Sequence, residues 1–282
     1  NAQGLVENVQ ILSGNLVQNG DFSELGSEEV SNGSFTTNLN NWETSSWWVW
    51  DELGAYHPPT NSHKPLYQQC CIIGKTYLIT FDLNVVQGAA KVSLGTNTGF
   101  TSQIFATNLG TGSYSYYVTA QAEYIIFNRN NSGIGSNNEY YLENVSVKEV
   151  DPNDYWNLGT GVTISNGKAN FTGNANTFLT QSGVVSSGKT YKATFIVSNY
   201  VSGAIDINLG GSTRQGNVSA NGTYNFYITV PSGNILYFQE DFSNGFVGSI
   251  TNIEIIEITD DTNLPRISYE NFSYQDALGS EL

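Results

Sequence analysis

Five aromatic residues crowd into one short stretch of the chain: Trp42, Trp47, Trp48, Trp50 and Tyr56. Indole and phenol rings offer flat apolar faces with a single polar atom at the edge. Such rings stack on another flat apolar face, while neighbouring amides, carboxylates and guanidinium groups bond the polar rim of whatever carries it. The ring of a sugar is a partner of this kind. If the stretch is extended, Trp48 and Trp50 share one face and Trp47 lies on the other, and one of those faces belongs to the core. The residues of catalysis are sparse by comparison. The only histidines, His57 and His63, lie in a Pro-rich segment expected to be an exposed loop, and no third ligand follows at metal-site spacing. No Gly-x-Ser-x-Gly elbow and no glycine-rich phosphate loop occurs. Asp51, Glu52, Asp151, Asp154, Asp260 and Asp261 fall at expected strand ends and linkers, and the adjacent Glu240 and Asp241 read as a solvated turn rather than an acid/base pair. The pattern points to binding rather than catalysis.

The elements that must hold these residues are strands. The chain has 282 residues, room for two domains, and only 12% of them are charged, with Thr, Tyr, Val, Gly and Asn in place of the missing charges. Apolar alternation recurs every 8 to 15 residues between Gly, Asn or Ser, the pattern of a β-sandwich. The strands also repeat. Gly74–Tyr77 matches Gly188–Tyr191, Ala90–Gly95 matches Ile205–Gly210, and Gly112–Val118 matches Gly222–Ile228. Tyr124–Asn128 then matches Ile235–Gln239, and Leu142–Val150 matches Ile250–Ile258. A shorter echo lies near the start, where Leu16–Phe22 resembles Glu29–Phe35. The expectation is an all-β chain of two tandem β-sandwich modules at 15–150 and 151–258, with 1–14 and 259–282 as flanking strands or linkers. The chain contains no Met, so Asn1 is expected not to be a native start, and the closing Leu278–Leu282 repeats a module lead-in, as if a further unit followed. Cys70 and Cys71 are expected as one buried and one half-exposed thiol. The net charge of -15 argues against nucleic acid as a partner, and no apolar run is long enough for a membrane-spanning helix.

Several motifs together resemble the jelly-roll carbohydrate-binding modules of the family 4/9/22 type, which are galactose-binding-like. They are Asn32-Gly33-Ser34-Phe35, Trp42, Gly74–Tyr77 and Asn144–Val150. The resemblance covers the first module and, from about Tyr155, the second. It implies a pair of jelly-roll modules that meet glycans through Trp47, Trp48, Trp50 and Tyr56, with Gln103, Asn128 and Arg129 as polar cleft residues. In the second module Trp156, Tyr200, Tyr237, Phe238 and Gln239 stand in for the cluster. Modules of this type often hold a structural Ca²⁺ between their first and last strands, and Asp21 and Glu143 stand at comparable places; no other cofactor is implied. The flanking segments Asn1–Glu7 and Thr262–Tyr269 look like segments of bacteriophage tail-fibre and other virion structural proteins. That likeness implies a host-recognition role on the virion surface, with bacterial surface or environmental glycans and other virion subunits as partners. Fibres are often homotrimers, a state the sequence does not fix. The alternatives are a purely structural virion spacer or decoration protein, and the accessory carbohydrate-binding region of a secreted, extracellular polysaccharide hydrolase.

Overall fold

The computed structural model describes residues 10–44, 47–60, 62–129, 137–174, 177–240 and 245–258. Residues 1–9 and 259–282, with Asp260 and Asp261, and likewise Asp241, lie outside the described residues. The described chain is all-β, with every strand pairing antiparallel. It divides into two compact units, one formed by residues 23–153 and the other by the chain on both sides of it, up to Phe22 and from Asp154 onward. The modules are therefore nested rather than strung in tandem. We call them the inserted module and the split module.

The inserted module contains β1 (Leu25–Glu28), β2 (Glu43–Thr44), β3 (Val49–Asp51), β4 (Gly54–Thr60), β5 (Leu66–Gln69) and β6 (Thr76–Gln87). It continues with β7 (Ala90–Gly95), β8 (Thr101–Leu109), β9 (Gly112–Thr119), β10 (Tyr124–Arg129) and β11 (Asn138–Val150). One sheet has the order β3-β4-β11-β6-β9 with β1 beside β11, and the other has the order β2-β5-β10-β7-β8. The chain changes sheet at nearly every step, as in a jelly roll. Alternate residues fill the space between the sheets. Ile79, Phe81 and Leu83 of β6 and Tyr140, Leu142 and Val147 of β11 meet Val92 and Leu94 of β7 and Ile125 and Phe127 of β10 in one core.

The split module repeats this plan with β12 (Asn157–Leu158), β13 (Val162–Ser165), β14 (Lys168–Thr172), β15 (Phe178–Gln181) and β16 (Thr190–Ser202). Then follow β17 (Ile205–Leu209), β18 (Gln215–Val218), β19 (Gly222–Thr229), β20 (Leu236–Glu240) and β21 (Val247–Ile258). Its sheets run β13-β14-β21-β16-β19 and β12-β15-β20-β17-β18. At its centre Phe195 packs edge-on to Phe238 and against Tyr224 and Phe226, as Phe81 packs against Phe127, Tyr114 and Tyr116.

The short echo at the start explains the nesting. The backbone N–H of Ile253 in β21 donates to Gly20 (2.9 Å), and that of Val145 in β11 donates to Gly33 (2.9 Å). A Cβ at either glycine would collide with the carbonyl oxygen of Ile253 or Val145. In both copies the following phenylalanine is buried with positive φ, 54° at Phe22 and 48° at Phe35. Its ring rests on a tryptophan, Trp156 at 5.1 Å and Trp42 at 5.3 Å, and that indole donates back to Asn19 and Asn32. Each Asn-Gly-x-Phe segment is thus the opening segment of its own module. The first copy belongs to the module that resumes at Asp154, which corrects the boundary expected at residue 15 to Ser23. Lys75–Glu149 (3.1 Å) and Lys189–Glu257 (2.8 Å) are matching ion pairs. Tyr77 and Tyr191 accept the N–H of Ile72 and Ser186, both at 2.8 Å.

Candidate functional site

The structure distributes the aromatic cluster among different jobs. Trp42 is buried in the core. So is Trp48, whose indole lies edge-on to His57 (4.9 Å) and Tyr140 (5.4 Å) and donates to the Lys64 carbonyl (2.8 Å). Trp48 therefore lines no groove. Trp50 is 37% exposed and donates to the Phe35 carbonyl at 2.6 Å, beside β4. Tyr56 lies on the outer face of the first sheet, stacked on Tyr141 (4.7 Å) and donating to Glu139 (2.7 Å). Burial and then the Glu139 carboxylate push its pKa up to about 12. Trp47 is 36% exposed, donates to the Pro58 carbonyl (3.2 Å) and carries the Lys64 ammonium 5.4 Å from its ring centre.

Lys64 leads to the second sheet. Its N–H donates to Asn128 Oδ1 (3.3 Å), which also accepts the Arg129 N–H (2.8 Å). On β10, Ile125 and Phe127 enter the core, so Asn128 points to the outer face. Directly opposite it on β7 stands Lys91. Lys91 points outward for the same reason, because its neighbours Ala90 and Val92 face the core. Despite facing outward, both are buried: Asn128 is 0% and Lys91 6% exposed. Among the described residues Asn128 Nδ2 has no hydrogen-bond partner, nor has the buried Nε of Arg129. His63, stacked near Phe100 at 5.9 Å, completes the rim. Burial, then the charges of Lys91 and Arg129, hold the His63 pKa below its usual range, and burial, then Arg129, lowers that of Lys91. A recessed patch of hydrogen-bond donors thus lies beside an exposed indole.

Other expected positions fall elsewhere. Gln103 spends its amide on the Thr119 carbonyl and the Gln121 N–H (3.0 and 2.9 Å). Asp21 and Glu143, the expected Ca²⁺ pair, belong to different modules. In the matching segments, aligned by the Gly20–Ile253 and Gly33–Val145 hydrogen bonds, Ser34 takes the place of Asp21 and Thr251 that of Glu143, so neither module has both carboxylates. Among the described residues no group of three or more His, Cys, Asp or Glu side chains could hold a metal. His57 is no loop residue: it lies on β4, fully buried between Trp48 and Tyr140. Its Nδ1 lies 3.0 Å from the Asn138 carbonyl, and burial lowers its pKa to about 4. Cys70 and Cys71 are both buried, because the N–H groups of both bond to one carbonyl, that of Glu123, beyond the end of β5.

In the split module Trp156 and Phe238 are core, and Tyr200 bonds the Gly203 carbonyl (3.1 Å). Tyr237 and Gln239 face outward, opposite Asn208 and Asp206. Glu240 is no solvated turn residue: it is fully buried, and burial, opposed by a hydrogen bond from the Phe246 backbone, raises its pKa to about 7. A polar cleft of about 270 Å³, lined by Gln18, Asp154, Tyr155, Asn157 and Thr180, lies elsewhere in this module. Sequence reading missed Lys64 and Lys91. The available signal for Lys91 was the repeat itself, which sets it against Asp206 in otherwise matching strands.

No family model and no curated protein matches the chain. Among solved structures, the N-terminal CBM22-1-CBM22-2 tandem domain from Paenibacillus barcinonensis aligns with 83% of this chain and 99% of its own, at 11% identity and a TM-score of 0.31. The serum fucolectin of Morone saxatilis (striped bass) covers 90% of this chain and 99% of its own at 9% identity and a TM-score of 0.26. Saccharomyces cerevisiae allantoicase covers 88% and 95% at 8% identity and a TM-score of 0.29. Likenesses this distant do not bear on what the chain binds.

Proposed function

We propose that the protein is a non-catalytic glycan-binding protein whose inserted module takes sugar at the outer face of its second sheet. The observation that carries this reading is the juxtaposition of the exposed Trp47 ring with donors that have no acceptor among the described residues. A ring face stacks on a sugar, and an amide and a guanidinium reach for its oxygens. A buried donor without a partner costs roughly 1–3 kcal/mol until a ligand or water supplies an acceptor. Display on a virion surface, as a host-recognition part of a phage appendage, is the setting we propose, and the flanking segments' likeness to fibre proteins is its support.

The test is a glycan array probed with the whole chain, beside Trp47→Ala and Tyr56→Ala variants of unchanged melting temperature. Binding that Trp47→Ala lowers roughly tenfold or more, and that Tyr56→Ala leaves alone, is the expected result. Binding lost only in Tyr56→Ala would move the site to the outer face of the first sheet, and no binding at all would remove the glycan reading.

A further inference from the structure

The two modules share a framework but invert its charge at one place. Lys91 opposes Asn128 across β7 and β10, and in the matching strands of the split module Asp206 opposes Gln239. Arg129, one residue on, corresponds to Glu240. Positions that are cationic in one module are acidic in the other. The acidic version is partly balanced within its own fold, because Arg214 pairs with Asp206 at 3.1 Å. The cationic version has no such partner. Lys91 makes no hydrogen bond or ion pair among the described residues, and the charges bearing on Lys91 and His63 are those of other cations. Two of the ten Lys and Arg side chains of a chain with net charge -15 gather here, Lys91 and Arg129, and a third, Lys64, lies over the neighbouring Trp47 ring. Lys75 and Lys189, by contrast, are each paired with a carboxylate.

Like charges drawn together and withdrawn from water raise the free energy of the empty site. An anion repays that cost, and an oxyanion also accepts from amide and guanidinium N–H groups. From this placement we infer that the ligand of the inserted module is an acidic glycan, whose carboxylate or sulfate sits between Lys91, Asn128 and Arg129 while a sugar ring lies on Trp47. The inference rests on the glycan-binding reading above and adds the class of sugar. The split module, acidic at the same positions, does not share this preference.

The test compares matched polymers that differ only in charge: polygalacturonate against its methyl ester, and dextran sulfate against dextran. Affinity of the whole chain is measured for each at moderate salt. The expected result is a preference of roughly tenfold or more for the charged member of one pair, the first assigning carboxylate and the second sulfate. Lys91→Gln is expected to abolish the preference and Lys91→Arg to keep it, with melting temperatures compared for both. The polymer comparison needs only the wild-type chain, so it decides even if Lys91→Gln fails to fold. Equal or weaker binding to the charged members, in a chain that binds neutral glycans on the array, overturns this inference and leaves the glycan reading standing. A chain that binds nothing on the array overturns both.

Discussion

At the residue scale, matching positions of the two modules separate structural residues from others. Cys70 and Cys71 occupy the places of Val184 and Val185, and the valine N–H groups likewise share one carbonyl, that of Asn234. The cysteines do the work of small apolar residues. Their sulfurs lie 3.5 Å apart, and the contact with Cys70, then burial, pushes the Cys71 thiol far up its range, away from the reactive thiolate. A Cys70→Val/Cys71→Val variant is therefore expected to keep the wild-type free energy of unfolding in urea to within about 1 kcal/mol. Trp48 and Trp47 are adjacent in sequence and differ in role. Trp48→Ala is expected to cost about 3–5 kcal/mol in the same measurement, while Trp47→Ala affects binding only.

At the element scale, the opening segment of each module is specified by a few atoms. Gly33 and Gly20 let the chain approach the last long strand closely enough to bond Val145 and Ile253. Asn144 and Asn252 take positive φ there, 51° and 50°, where the ladder register shifts. Gly33→Ala and Gly20→Ala must push the two segments apart, and each is expected to cost about 3 kcal/mol, read as a lower midpoint of its own module's thermal transition. The Asn-Gly dipeptides, the Gly-Lys-Thr-Tyr strand starts and the alternation of the long strands were legible in sequence because they are local. The fate of Cys71 and His57 was not. One is held by hydrogen bonds to a distant loop, the other is covered by Trp48 and by Tyr140 of the neighbouring strand.

At the scale of the whole molecule, two buried ionisable groups tie the modules to pH in opposite senses. His57 in the inserted module titrates near 4 instead of 6.5. Between those values the unfolded chain binds a proton that the folded module does not, so this module loses stability as pH falls from 6.5 to 4. Glu240 in the split module titrates near 7 instead of 4.5. Here the folded module holds a proton that the unfolded chain has released, so stability is lost as pH rises from 4.5 to 7. Each effect is on the order of 3 kcal/mol. Calorimetry between pH 4.5 and 6.5 is expected to show two transitions moving in opposite directions, with Glu240→Gln flattening one of them. Coincident transitions with a common slope would refute the assignment.

By itself the sequence determined the class of fold and the duplication, because alternation, turn chemistry and repeated motifs are written in neighbouring residues. It also held the echo between Leu16–Phe22 and Glu29–Phe35, but not its meaning. Strand pairing over more than two hundred residues, Gly20 with Ile253, decided that one module is inserted into the other. The tertiary structure likewise decided that Trp42 and Trp48 are buried while Trp47 and Trp50 stay partly exposed. It dispersed Tyr56 and Gln103, and it placed Asp21 and Glu143 in separate modules. It also drew Lys64, Lys91, Asn128 and Arg129 to one end of one sheet. The physical reason is the same in each case: a strand's period sets which face a side chain takes, while only the packing of distant strands sets what that face meets.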